Sequence, residues 1–375
     1  MSIHKHVNII SFDVPFPANY GGVIDVYYKL WYLKQAGVKI HLHCFAYGRA
    51  EAPELAALCE SVNYYPRKTG WLSNLSWLPY TVKSRQSRDL EKKLLANDYP
   101  ILFEVLHTCG LMTDKRFAGR RKIYRHSNIE HHYYRALANK ERDWLKKIFL
   151  KIEAFKLWQF ESRIKKADVI LAVNQKDCHY FKQKYPRVQN LYLPSFHGNN
   201  APEVQMGKGD YLLFHGNLSI AENYDAAMWL IDHVFSKLHY PVVIAGLNPP
   251  DFLRQALSVY QHIQLMANVE EAQMADLVKN AHIHLLYTDQ GTGLKLKLLN
   301  VLFKGRFVLC NRQMLEGTGL HENHSLQVAD TANDFLRIIP RLMSAEISKE
   351  HLQQRLAQTS QFDNHKNVET LLGLI

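Results

Sequence analysis

Gln290-Gly291-Thr292-Gly293-Leu294-Lys295-Leu296-Lys297-Leu298-Leu299-Asn300-Val301-Leu302-Phe303-Lys304-Gly305-Arg306-Phe307-Val308-Leu309 follows the strand-like run Ile283-His284-Leu285-Leu286-Tyr287. The stretch reads as a glycine loop, a helix over 294–303, a glycine stop and a further strand over 306–310. A strand that feeds a helix and returns as a parallel strand is the unit of an open α/β sheet. Glycines at the helix start let a ligand reach the backbone, and free N–H groups there suit a phosphate. Lys295 and Lys297 are poorly placed for helix stability, because a helix N-terminus disfavours cations. An anionic ligand is the better reason for them.

The same rhythm runs outward from this segment. Strands are expected over 211–214, 242–245 and 263–266, with helices at 226–238, 251–260 and 271–280. The first half repeats the pattern: a strand at 7–12, a Pro/Gly loop over 14–22, a helix leading to Gly37, and a strand at 38–45. Further strands are expected at 101–106, 122–124 and 169–173. Residues 188–209, with Pro194, Gly198, Pro202, Gly207 and Gly209, read as a linker. This predicts a domain over 1–195, a linker over 196–209 and a second domain over 210–375, its last helix free to pack back on the first. The fold class is α/β, with two Rossmann-like parallel-sheet domains facing across a cleft, where ligands of such sheets bind.

The chain has 375 residues, of which 47% are apolar and 22% charged, so it is neither disordered nor fibrous. No apolar run is long enough to span a membrane, and residues 7–12 are too short for a signal-peptide core. The five cysteines are scattered without a C-x-x-C pair, which predicts reduced thiols, a cytoplasmic setting and no metal site. Residues 1–200 carry 32 Lys+Arg against 17 Asp+Glu, whereas residues 201–375 carry 14 against 18. The positive excess of the first half suggests an anionic partner. Within it, Trp144, Ile148, Ile152 and Phe155 fall on one helical face, and Lys146, Lys147, Lys151, Lys156, Arg163, Lys165 and Lys166 occupy much of the remainder. This reads as a first-domain helix with a solvated basic surface; the composition also suits peripheral contact with an anionic membrane. No module that reads nucleic acid is present.

Several motifs recur in one order. They are Pro15-Phe16-Pro17 with Gly21-Gly22, then Arg125-His126-Ser127-Asn128-Ile129-Glu130, and Ala167-Asp168-Val169-Ile170-Leu171-Ala172-Val173-Asn174-Gln175-Lys176-Asp177. Phe214-His215-Gly216-Asn217-Leu218-Ser219, Asn223-Tyr224-Asp225-Ala226, Val243-Ile244-Ala245-Gly246 and the 291–309 segment follow. In order and spacing the chain resembles the two-lobed (GT-B) retaining glycosyltransferases of the family 4 type, whose usual members build bacterial cell envelopes. The resemblance implies a nucleotide-diphosphate sugar as donor, no other cofactor, no metal, and a saccharide or lipid-linked glycan as acceptor. It implies donor binding by Gly21, Gly22, Gly216, Asn217, Gly291, Thr292, Gly293, Lys295 and Asn300, and catalytic roles for His126 at the sugar and Lys297 at the leaving diphosphate. Glu130 either orients His126 or opens the next helix.

The chain also departs from that family. Where many members carry two glutamates seven residues apart, Thr292 and Asn300 stand. Where many carry an Arg and a Lys after the first strand of the second lobe, Asn217 and Glu222-Asn223 stand. Two alternatives follow: a nucleotide-sugar epimerase of the same architecture, or a transferase-like binding subunit without catalysis.

Overall fold

The computed structural model describes residues 5–70, 76–289 and 293–375. The chain forms two compact units: residues 1–198, 292–294 and 362–375 in unit 1, and 199–291 and 295–361 in unit 2.

In unit 1, strands β1 (His6–Ser11), β2 (Lys39–Ala46), β3 (Ser61–Pro66), β4 (Ile101–Glu104), β5 (Lys122–His126), β6 (Val169–Ala172) and β7 (Gln189–Tyr192) form one parallel sheet in the order β3-β2-β1-β4-β5-β6-β7. Its helices are α1 (Gly21–Gln35), α2 (Tyr80–Lys83), α3 (Arg88–Leu95), α4 (Glu130–Lys140), α5 (Trp144–Glu161) and α6 (Gln175–Lys184). Central strands are buried on both sides, so they read as unbroken apolar runs; Val7, Ile9, Ile10, Val169, Ile170 and Leu171 have no exposed surface.

Unit 2 holds β8 (Leu212–Asn217), β9 (Val242–Leu247), β10 (Ile263–Ala267), β11 (Ile283–Leu286), β12 (Phe307–Cys310) and β13 (Leu326–Val328), parallel in the order β10-β9-β8-β11-β12-β13. Its helices are α7 (Ala221–His233), α8 (Asp251–Leu257), α9 (Glu271–Asn280), α10 (Leu296–Lys304), α11 (Arg312–Leu315), α12 (Ala332–Ser344) and α13 (Lys349–Thr359). The remaining helix, α14 (Asn364–Leu372), belongs to unit 1, where Val368, Leu371 and Leu374 join the core of Val7, Ile9, Val26 and Leu30. Lys5 Nζ donates to the carbonyls of Leu372 and Ile375, and the Asn364 amide donates to the His197 carbonyl at 2.9 Å.

The α/β class with two parallel sheets is as the sequence predicts. Strands β3, β7 and β13 were not foreseen, and β7 occupies the start of the stretch read as a linker. On α5, the face that carries Trp144, Ile148, Ile152 and Phe155 is turned outward: they are 65%, 47%, 49% and 50% exposed. The inward side is a different set, Glu153, Ala154, Leu157, Phe160 and Glu161. The two acids explain the choice. Glu153 accepts from the Tyr80 backbone N–H (2.6 Å) and from Lys156 (3.0 Å), and Glu161 accepts from Lys184 (2.5 Å) and Tyr180 (2.9 Å) and pairs with His131 (3.2 Å). Buried carboxylates are tolerated only where such partners exist.

Candidate active site

In an open parallel sheet, ligands collect at the carboxyl ends of the strands where the strand order reverses, because the flanking loops diverge there. In unit 2 that point lies between β8 and β11. Helix α7 begins shortly after β8, and α10 begins after β11; neither has a side-chain N-cap. The uncapped first turns leave backbone N–H groups for a partner from outside the helix.

Five side chains converge there. Lys297, in the first turn of α10, donates to the Asn223 side-chain oxygen at 3.0 Å. Lys295, the N-cap residue of α10, pairs with Glu222 at 2.9 Å, and Glu222 also accepts from the Thr288 hydroxyl at 2.6 Å. Asn223 donates its amide N–H to the Asn217 carbonyl at 2.9 Å, which ties the start of α7 to the end of β8. Gly216 makes room for this arrangement: a Cβ there would lie 3.1 Å from the Asn223 amide carbon.

The charges at this cluster are unequal in their partners. Burial drives the Lys297 pKa from 10.5 down to about 8; Glu222 opposes the shift and Lys295 adds to it. Burial alone would raise the Glu222 carboxyl, but Lys295, the Thr288 hydroxyl and Lys297 hold it below its ordinary value. His215, behind Lys297, is held neutral, its pKa lowered to about 4 by burial and by Lys297. Lys295 therefore has a carboxylate partner of its own, which sequence reasoning did not foresee. Among the described residues, Lys297 Nζ hydrogen-bonds only the neutral Asn223 amide oxygen and lies 5.6 Å from the centre of the Phe214 ring.

Of the other residues expected to bind a donor, Asn217 uses its side-chain oxygen on Ser219, accepting from its N–H at 3.1 Å and its hydroxyl at 2.7 Å. Asn300 lies inside α10, partly exposed. Gly291 and Thr292 lie outside the described residues. Gly293 is described and has φ +68°, the left-handed conformation that a glycine adopts without strain.

In unit 1, Gly21 opens α1, and the space that a Gly22 side chain would need is taken by the Phe12 ring, whose Cζ would lie 2.6 Å from a Cβ. Close packing thus accounts for Gly22. His126 ends β5, fully buried, and its Nε2 lies 2.8 Å from Asp177 Oδ2. Asp177 sits in the first turn of α6, where Asn174 caps the helix through the Asp177 N–H (2.7 Å) and donates to the Asp177 carboxylate (2.6 Å). Burial would raise the Asp177 carboxyl, yet the bonds from His126 and Asn174 hold it below its ordinary value. In the tautomer that gives Nε2–H to Asp177, Nδ1 is left as an acceptor. That atom is buried and has no hydrogen-bond partner among the described residues. Glu130 does not orient His126; it opens α4 and pairs with His107 at 3.2 Å. In the sequence, the signal for Asp177 is its position three residues after the capping Asn174.

Beneath these elements lies a buried ionic quartet. Lys29 meets Glu104 at 2.6 Å and Asp25 at 3.4 Å, and Arg125 meets Asp25 at 3.2 Å while donating to the carbonyls of Leu193 and Pro194. It joins α1, β4, β5 and the segment after β7.

No family model matches the chain. An uncharacterized 44.6 kDa protein in the cps region of Klebsiella pneumoniae is 26% identical over 354 residues, covering 86% of this chain and 87% of that one. Among solved structures, sucrose-phosphate synthase from Thermosynechococcus elongatus matches with a TM-score of 0.65 at 13% identity, over 98% of this chain and 95% of that one. HepE of Anabaena, in complex with UDP and glucose, matches with a TM-score of 0.65 at 10% identity, over 99% of both chains. At such identities these likenesses establish the fold, which is GT-B.

Proposed function

We propose that this protein is a glycosyltransferase that moves a sugar from a nucleoside-diphosphate sugar to a saccharide or lipid-linked glycan acceptor, with retention of anomeric configuration, on the cytoplasmic side in cell-surface polysaccharide biosynthesis. The observation that carries the reading is the meeting of two uncapped helix starts, α7 and α10, with Lys295 and Lys297 at the switch point of the unit 2 sheet. Backbone N–H groups and lysines together suit a diphosphate. The GT-B fold shared with HepE, which binds UDP and glucose, and the relative in a cps region support the same reading.

In this proposal the bond between the anomeric carbon and the diphosphate oxygen breaks as the carbon gains oxocarbenium character. Lys297, Lys295 and the helix-start amides stabilise the charge developing on the departing diphosphate. The acceptor hydroxyl attacks from the side the diphosphate leaves, and its proton passes to that diphosphate. His126, with Nδ1 left as an acceptor, takes a hydrogen bond from a sugar hydroxyl. Asp177 is its positioning residue.

One observation favours a second reading, a transferase-like binding subunit without catalysis: Glu222 places a carboxylate beside Lys295. Calorimetric titration with UDP, GDP and ADP, followed by assay of the matching sugar donors with glycan acceptors, decides. Absence of binding to all three nucleotides at millimolar concentration sinks both readings. Binding with no turnover of any donor leaves the second.

A further inference from the structure

Helix α5 is apolar on two opposite sides. One side, with Ala154, Leu157 and Phe160, is packed into unit 1. The other carries Trp144, Leu145, Ile148, Phe149, Ile152, Phe155 and Trp158, which are between 38% and 65% exposed. At 3.6 residues per turn these seven form one continuous stripe along the helix. Isolated exposed apolar side chains are ordinary, whereas a contiguous stripe rimmed by polar groups marks a binding surface.

The charges around the stripe say what covers it. The helix has four lysines, Lys146, Lys147, Lys151 and Lys156, and two acids, Glu153 and Glu161. Both acids are buried and paired within unit 1. Lys156 is tied to Glu153 at 3.0 Å, so the outward surface of α5 presents aromatic and aliphatic groups with Lys146, Lys147 and Lys151 as its charges. The cationic character continues in the residues that follow: Lys165, Lys166 and Arg187 line a cavity of 330 Å³ with Tyr185 and with Lys184, which is paired with Glu161. Trp77, 89% exposed, precedes by three residues the Tyr80 whose N–H binds Glu153 of α5. A second copy of this chain is a poor occupant, because apposing two such helices would bring lysines against lysines. An acidic bilayer fits both features: aromatic rings settle at the headgroup level, while lysine stems lie along the apolar boundary with their ammonium groups on lipid phosphates.

We infer that α5 docks the protein on an anionic membrane surface, lying in the plane of the interface with its Trp144–Trp158 stripe inserted. The contact proposed is peripheral; among the described residues no helix is long and apolar enough to cross a membrane. This inference rests on α5 and does not depend on the transferase reading.

The test uses the full chain with vesicles of phosphatidylcholine, with and without one third phosphatidylglycerol, at low and high salt. Wild type is expected to co-sediment with the acidic vesicles only, and binding is expected to fall with salt as the lysine contribution is screened. The double variant Ile148→Asp/Phe155→Asp is expected to bind at least tenfold more weakly, with unchanged melting temperature and unchanged nucleotide binding. Brominated acyl chains are expected to quench tryptophan fluorescence in wild type, and less so in Trp144→Leu/Trp158→Leu. The inference is overturned if wild type ignores acidic vesicles, if the Asp double variant binds them as wild type does, or if lipid-free wild type is a dimer that the double variant converts to monomer.

Discussion

Lys297 Nζ rests 3.0 Å from the side-chain oxygen of Asn223, a neutral acceptor, at the point where the unit 2 strand order reverses. The nearest carboxylate, Glu222, is engaged by Lys295 and Thr288. A largely buried ammonium whose hydrogen-bond partner among the described residues is a neutral amide is suited to receive an anion from solution. Lys297→Ala is therefore expected to weaken nucleoside-diphosphate binding tenfold or more, since a charge-assisted contact contributes about 1.5–3 kcal/mol. Titration calorimetry measures this directly, and wild-type affinity in the variant would remove Lys297 from the site.

The same ammonium sets a pH dependence. Its pKa, near 8 in the free protein, rises when a diphosphate binds, because an opposite charge favours the protonated form. Affinity should be complete below about pH 8 and decline as the pH climbs through that value. The sign for folding is opposite. An unfolded lysine near 10.5 holds a proton that folded Lys297 has lost between about pH 8 and 10.5, so stability relative to Lys297→Met should grow with pH across that window. Paired urea titrations at pH 7.5 and 10 provide the check; a flat difference contradicts the assigned burial.

Glu222 offers a test in the other direction. Its carboxylate stands where it repels an incoming diphosphate and occupies Lys295. Glu222→Gln retains the shape and the Thr288 contact but frees Lys295, and it should tighten diphosphate binding by a few-fold. Weaker binding in this variant would mean that Glu222 organises the site rather than competing in it.

For His126 the expectation concerns turnover. His126→Ala should lower kcat with little loss of nucleoside-diphosphate affinity, because the proposed contact is to the reacting sugar. Asp177→Ala should reproduce that split, while Asp177→Asn, which can still accept from Nε2–H, should recover part of the rate. A purely structural Asp177 would show no such rescue at equal melting temperature.

Most of the fold was legible because central strands of a parallel sheet are apolar on both sides and stand out from their flanks. The three strands missed, Ser61–Pro66, Gln189–Tyr192 and Leu326–Val328, are edge strands. Each has a neighbour on one side only and tolerates polar residues such as Asn63, Gln189 and Gln327, so its pattern is weak. The packed face of α5 was not legible for a different reason. Periodicity locates apolar stripes, but with two of them it cannot tell which is packed; the partners of Glu153 and Glu161 decide that, and they lie on other elements. The lysines of the glycine loop could be found from local charge logic. The attachments Glu222–Lys295 and His126–Asp177 join residues 73 and 51 positions apart, and no local pattern encodes them.

The placement of α14 in unit 1 bears on how the chain is made. The first sheet closes its core with Val368, Leu371 and Leu374, and Lys5 reaches the carbonyl of Ile375. During synthesis, unit 2 is complete in sequence once residue 361 has left the ribosome, whereas unit 1, begun first, still lacks residues 362–375. Its basic, apolar-striped α5 is therefore made well before the residues that close the unit 1 core.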